Sequence, residues 1–321
     1  MKVVFRVDAS IQMGTGHVMR CLTLAQVLKE NGADIEFICR KHKGSLIEKI
    51  RSGGFVVHEL EVFEEIEFDN KLAHSHWLGA TQYQDADDCI GILKKEKIDW
   101  LIVDHYAIDE DWQCKLKPYY EKLMVIDDLA DRKHRCDTLL DQTFGRQQED
   151  YSALTPKGCK LLLGSQYALL KPEFAKWRAY SLERRRKPEF KQLLINMGGA
   201  DIDNVTESVL DELKACNLPN DIDITVVMGA SAPHLGRVKS KANTLPHKAE
   251  VMVNVDNMAE IMANADIAIG AAGSTTWERC CLGLPTIQIV IAKNQLFLAE
   301  TLAHHNIVKL VKEIKETTYL L

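Results

Sequence analysis

The sequence predicts an α/β protein made of two doubly wound, Rossmann-like domains facing each other across a cleft. Three observations carry that reading. At 321 residues the chain is longer than one core ordinarily supports, which divides it naturally into two domains. Short apolar or β-branched runs alternate with amphipathic stretches of roughly 10–15 residues, the pattern of βαβ units around a parallel sheet. A charged, proline-marked segment, Arg184-Arg185-Arg186-Lys187-Pro188, separates the early runs from the late ones.

Taken in order, strands are expected at residues 3–7, 35–38, 100–104 and 123–127, then at 193–197, 224–228, 251–255, 267–270 and 286–290. The expected bounds are an N-terminal domain over 1–180, a linker over 181–190 with its basic run in solvent, and a C-terminal domain over 191–321. Residues 63–80, acidic and carrying His74 and His76, read as a surface excursion able to overhang the cleft. The first strand follows Lys2 directly, without the apolar core of a leader, so a cytoplasmic protein is expected.

Composition narrows the function. No apolar run approaches the roughly 20 residues needed to cross a bilayer, so no membrane role is expected. A net charge of −6 argues against a general nucleic-acid binder, whose affinity rests on neutralising phosphates. Nine scattered cysteines without a C-x-x-C pair read as reduced thiols, not as a disulfide framework or zinc site. His74 and His76 with Asp85, Asp87 and Asp88 match no standard ligand spacing and read as solvated loop; no metal or cofactor is expected. The Asp127-Asp128 pair, at a strand end, reads either as loop capping or as reaching the cleft, and the five tryptophans as core anchors more than stacking platforms.

Two loops carry chemistry. After the first strand, Gly14 and Gly16 allow a tight turn into a helix starting at about His17. The exposed N–H groups of a helix start favour an anion, and the same positive end disfavours imidazolium, leaving His17 a neutral imidazole able to accept a proton. The plainer alternative is a glycine turn with a capping histidine. Asp8 either orients the imidazole or caps the turn. In the second half, a strand leads through Gly270-Ala271-Ala272 to Gly273, Ser274 and Thr275, with Glu278 one turn later. Hydroxyls and backbone N–H groups there can hold a pyrophosphate while the carboxylate accepts from ribose hydroxyls. The alternative is a capping box ending on Glu278. Asn294, in a later loop, reads either as a ligand contact or as an ordinary N-cap. Gly198-Gly199-Ala200-Asp201 forms a second glycine turn, for close approach of a domain or ligand or as a plain turn.

The stretches RVDASIQMGTGHVMRCLTLA (6–25), VDHYAIDEDW (103–112), IDDLADRKHRCDTLLDQ (126–142), LLGSQYALLKPEF (162–174), NMGGAD (196–201) and AIGAAGSTTWERCCLGLP (268–285), with the later KNQ (293–295), resemble the PseG family. These are UDP-2,4-diacetamido-2,4,6-trideoxy-β-L-altropyranose hydrolases of pseudaminic acid biosynthesis, related to MurG-like glycosyltransferases of GT-B fold. The resemblance implies that His17 is the general base and that Tyr106 faces the diphosphate. It implies that Gly273, Ser274 and Thr275 hold the phosphates, Glu278 the ribose, and that Gly14, Gly16 and Asn294 lie against substrate. Lys171 stands where the family usually has arginine, keeping the charge but losing the planar fork. The implied reaction is metal-independent water attack at the anomeric carbon of a UDP-sugar, with C–O cleavage and inversion. The rivals are a glycosyltransferase, with an acceptor hydroxyl in place of water, and a non-catalytic nucleotide-sugar-binding protein.

Overall fold

The computed structural model describes residues 1–63, 71–230, 232–312 and 314–316. The chain forms two compact units, Met1–Leu169 and Leu170–Leu321, each with its own parallel sheet. The first unit contains β1 (Lys2–Val7), α1 (Gly16–Glu30), β2 (Asp34–Arg40), α2 (Ile47–Ser52), β3 (Val56–Leu60), α3 (Gln82–Leu93), β4 (Trp100–Asp104), α4 (Glu110–Leu116), β5 (Lys122–Ile126), β6 (Thr138–Asp141) and β7 (Lys160–Leu163). Its strand order is β3-β2-β1-β4-β5-β6-β7. Helices cover both faces of a parallel sheet, so its inner strands are mostly apolar: in β1 Val3, Val4, Phe5 and Val7 are buried, and Arg6 between them is buried against Asp8 and Asp85.

The second unit contains α5 (Pro172–Arg184), β8 (Gln192–Asn196), α6 (Val205–Leu213), β9 (Asp223–Met228), α7 (Leu235–Ala242), β10 (Lys248–Val253), α8 (Met258–Asn264), β11 (Ile267–Ala271), α9 (Thr275–Cys281), β12 (Thr286–Ile289), α10 (Leu296–His304) and β13 (Lys309–Val311), in the order β10-β9-β8-β11-β12-β13. In each sheet the winding reverses once, between β1 and β4 and between β8 and β11. Loops leaving the carboxyl ends of those pairs turn away in opposite directions and open a crevice, the usual ligand position of such sheets.

The nine expected strands are present, with β10 shifted toward the N-terminus, and four further strands, β3, β6, β7 and β13, were not expected. These are short, and β3 carries His58 and Glu59 with Val56 exposed, as suits an edge. The expected linker over 181–190 also needs correction. The division falls after Leu169, and α5 runs through residue 184 within the second unit, its Ser181 hydroxyl donating to the Leu282 carbonyl at 2.7 Å. The basic run is engaged in its first half: Arg184 pairs with Asp266 at 2.6 Å, and Arg185 donates to the carbonyls of Met262, Ala263 and Ala265 at the end of α8, while Arg186, Lys187 and Pro188 are exposed as expected. Within the 63–80 excursion, residues 64–70 lie outside those described, while Leu78, Gly79 and Ala80 are buried. Among the described residues no helix is long and apolar enough to cross a membrane.

Candidate active site

The first unit's crevice is bounded by the loop after β1 and the end of β4. Gly14 has φ 75°, a left-handed value that glycine adopts without strain, and its N–H closes the turn on the Ser10 carbonyl at 2.9 Å. Gly16 opens α1, placing His17 in its first turn, one residue from the expected start. The imidazole is nearly buried, with Nδ1 2.6 Å from Oδ1 of Asp104, the last residue of β4. Asp104 is gripped by Arg20, one turn along α1, through Nε to Oδ2 at 2.5 Å and Nη2 to Oδ1 at 2.6 Å. Burial alone would raise the Asp104 carboxyl, but Arg20 and His17 outweigh it and hold the group well below the usual carboxylate range. An ionised Asp104 accepts the Nδ1 proton, which fixes the tautomer and leaves Nε2 as the basic nitrogen.

The network continues outward. Arg20 Nη1 reaches Asp128 at 2.7 Å, and Asp128 accepts the Tyr106 hydroxyl. The Tyr106 ring therefore stands fixed, edge-on to His17 with centroids 4.6 Å apart. Trp77 stacks on Tyr106 at 5.7 Å, and His74 lies 4.3 Å from Trp77. Burial pushes the His74 pKa down. His74 and Trp77 are thus not a solvated loop histidine and a remote core anchor, but part of the aromatic wall beside His17. Asp128 is likewise a member of this network and not a loop cap.

Neither alternative for Asp8 is realised. Its Oδ1 accepts from the Arg40 backbone at 2.7 Å and pairs with Arg6 Nη1 at 2.7 Å, while Asp104 orients His17. Asp85 is also committed, buried between Arg6 and Arg40, and among the described residues no His/Cys/Asp/Glu group is arranged to hold a metal ion. Asp104 and Arg20 were not singled out from sequence. Two signals could have found them: Asp104 ends a strand at the winding reversal, and Arg20 lies at i+3 from His17 on one helix face.

In the second unit, β11 leads through the turn of Gly273, Ser274 and Thr275 into α9. The N-cap of α9 is Ser274, whose exposed side chain makes no capping hydrogen bond, and Thr275, three residues before Glu278, is already the first residue of the helix, so the capping box is not formed. Burial pushes the Glu278 carboxyl up to about 7, against the opposing charges of Arg279 and Lys171. Lys171, the N-cap of α5, lies 3.5 Å from Glu173 and within electrostatic reach of Glu278. Asn294 is exposed in the turn Lys293–Gln295, and the N-cap of α10 is Gln295, so Asn294 is not that cap. The same turn approaches the turn after β11, since a Cβ on Gly273 would stand 3.8 Å from Gln295 Nε2. The second glycine turn meets the loop after β9: Gly229 donates to the Gly199 carbonyl at 3.0 Å, and Asp201 accepts from Val205 and Thr206 at the start of α6.

Residues 193–321 match the glycosyltransferase family 28 C-terminal domain. Over 305 residues the chain is 30% identical to the UDP-2,4-diacetamido-2,4,6-trideoxy-beta-L-altropyranose hydrolase of Campylobacter jejuni, covering 94% of this chain and 96% of that one. The chain belongs to this hydrolase family. Another relative of this member of the hydrolase family is the uncharacterized protein MJ1062 of Methanocaldococcus jannaschii, 28% identical over 92% of this chain; the chain spans 56% of that protein's length. The crystal structure of Acinetobacter baumannii MurG superposes with a TM-score of 0.67 at 15% identity, covering 99% of this chain and 89% of that one, which gives the hydrolase family member a two-domain fold of GT-B type.

Proposed function

We propose that the protein hydrolyses a UDP-sugar of the diacetamido-trideoxy-altrose class, releasing UDP in amino-sugar biosynthesis. The observation that carries this reading is the His17–Asp104 pair at 2.6 Å, which leaves Nε2 of a fixed imidazole to take a proton from water. Family membership supplies the substrate class. The water oxygen bonds to the anomeric carbon as its proton passes to Nε2. The anomeric C–O bond breaks with its electron pair leaving on the β-phosphate oxygen of UDP, and the configuration inverts. A diphosphate is a good leaving group, so fixed dipoles are enough to stabilise its departure. Ser274, Thr275 and the backbone around Gly273 hold the phosphates, Glu278 accepts from the ribose, and Lys171 and Asn294 complete the donor set.

The test is turnover of the UDP-altrose derivative in H₂¹⁸O with a chelator present, followed by mass spectrometry and NMR. Label is expected in the free sugar and not in UDP, with activity surviving chelation. His17→Ala is expected to lose about 10²–10⁴ in kcat. Label in UDP would mean P–O cleavage. UDP binding without turnover would point instead to a transferase waiting for its acceptor, or to a binding protein.

A further inference from the structure

Five arginines are buried among the described residues: Arg6, Arg20, Arg40, Arg132 and Arg279. Four of them face aspartates. Arg6 pairs with Asp8 and Asp85, Arg20 with Asp104 and Asp128, Arg40 with Asp85 and Asp88, and Arg132 with Asp127. Arg279, 1% exposed, has no carboxylate in ion-pair contact. Its Nη2 donates to the Ala271 carbonyl at 2.7 Å and to Thr276 Oγ1 at 3.2 Å, its Nη1 donates to Thr275 Oγ1 at 3.1 Å, and its Nε has no partner. Within hydrogen-bond distance the cation meets neutral acceptors, with the Glu278 carboxyl acting on it only at longer range, and burial pushes the guanidinium down to about 10.

The surroundings are built to keep this group in place. A Cβ on Gly270 would lie 2.4 Å from Arg279 Nη1. Gly270 has no left-handed φ, so what chiefly excludes a side chain there is the guanidinium, with the Asn196 carbonyl next at 3.1 Å. Thr276 is held from its other side by Gln288 Nε2 at 2.8 Å. Thr275 is half-buried and accepts from Nη1, which leaves its own hydroxyl proton free to donate elsewhere.

We infer that Arg279 is a positioning residue for the diphosphate: its guanidinium, with no carboxylate in contact, sets positive charge behind the 271–276 turn and holds the Thr275 hydroxyl as a donor, so that a nucleoside diphosphate adds the negative charge the turn lacks. This rests on the reading of that turn as the UDP site. The charge acts from beneath the loop without touching the phosphates, and the ligand is recognised through its charge and not its base.

Isothermal titration calorimetry with UDP, UMP and uridine on the wild type, Arg279→Lys, Arg279→Gln and Gly270→Ala tests it. Arg279→Gln keeps an N–H donor and loses the charge; Arg279→Lys keeps the charge and loses the planar fork that reaches Ala271, Thr275 and Thr276 together. UDP affinity is expected to fall at least about tenfold in Arg279→Gln and less in Arg279→Lys, with uridine affinity changing by less than about twofold in either. Gly270→Ala, which displaces the guanidinium without removing it, is expected to weaken UDP more than uridine and carries the test should Arg279→Gln fail to fold. Folded variants that bind UDP as the wild type does, or that lose UDP and uridine by the same factor, overturn the inference in favour of a purely structural arginine. A wild type that binds no UDP would overturn the site reading, and the inference with it.

Discussion

On the proposed reading Asp104 serves the chemistry through His17, whose imidazole it orients. Asp104→Asn preserves shape but offers an amide that either donates to Nδ1 or accepts poorly from it, so the imidazole loses its fixed tautomer. A fall in kcat of at least about tenfold is expected with UDP affinity little changed, measured by steady-state kinetics beside calorimetry. Glu278 makes a different prediction. Its carboxyl is raised from 4.5 to about 7 by burial, and the ionised form is the better acceptor for ribose hydroxyls. UDP should therefore bind more tightly as pH rises through 7. The UDP phosphate also ionises in this range, but Glu278→Gln shares that contribution, so the difference between the two pH profiles isolates the carboxylate. The stability sign is opposite: the folded state holds this proton more tightly than the unfolded one, so the contribution of Glu278 to stability falls as pH rises from 4.5 through about 7.

At the scale of elements, Arg185 joins the end of α5 to the end of α8 by satisfying carbonyls that helix termini leave open. Arg185→Ala is expected to destabilise the second unit by about 1–3 kcal/mol, read from denaturant unfolding. The basic run containing it looked like solvated linker because sequence shows charge but not the carbonyls that charge will meet. A similar reason hid the short strands: β6 and β7 have only 4 residues each, too few to show a period, and gain their identity from pairing beside β5. The inner strands were legible because burial on both faces makes them mostly apolar runs. Both glycine turns were legible because glycine marks a backbone need directly. The Asp104–Arg20–Asp128–Tyr106 network was not, since its members come from three separate segments that only the winding of the sheet brings together. His74 and Trp77 were missed for the same reason, being close to Tyr106 in space and far from it in sequence.

At the scale of the whole molecule, each unit has its own core, and the first also encloses the ion network of Arg6, Asp8, Arg40 and Asp85. Removing one partner of such a network leaves buried charge uncompensated, so Asp85→Ala is expected to cost about 3–5 kcal/mol, seen as earlier unfolding of the first unit. UDP at about 100 times its dissociation constant should stabilise the unit that carries Gly273 and Glu278 by about 2.7 kcal/mol, shifting one calorimetric transition selectively. A uniform shift, or none, would count against placing the nucleotide on that turn. The strands of the first sheet all run one way, so the loops that matter to chemistry gather at one rim and the opposite rim is left to exposed pairs such as Lys97 and Glu121, 3.2 Å apart just before β4 and β5. That rim is a natural anchorage: a chemical tether attached there would hold the protein to a solid support with its working rim turned toward the solution.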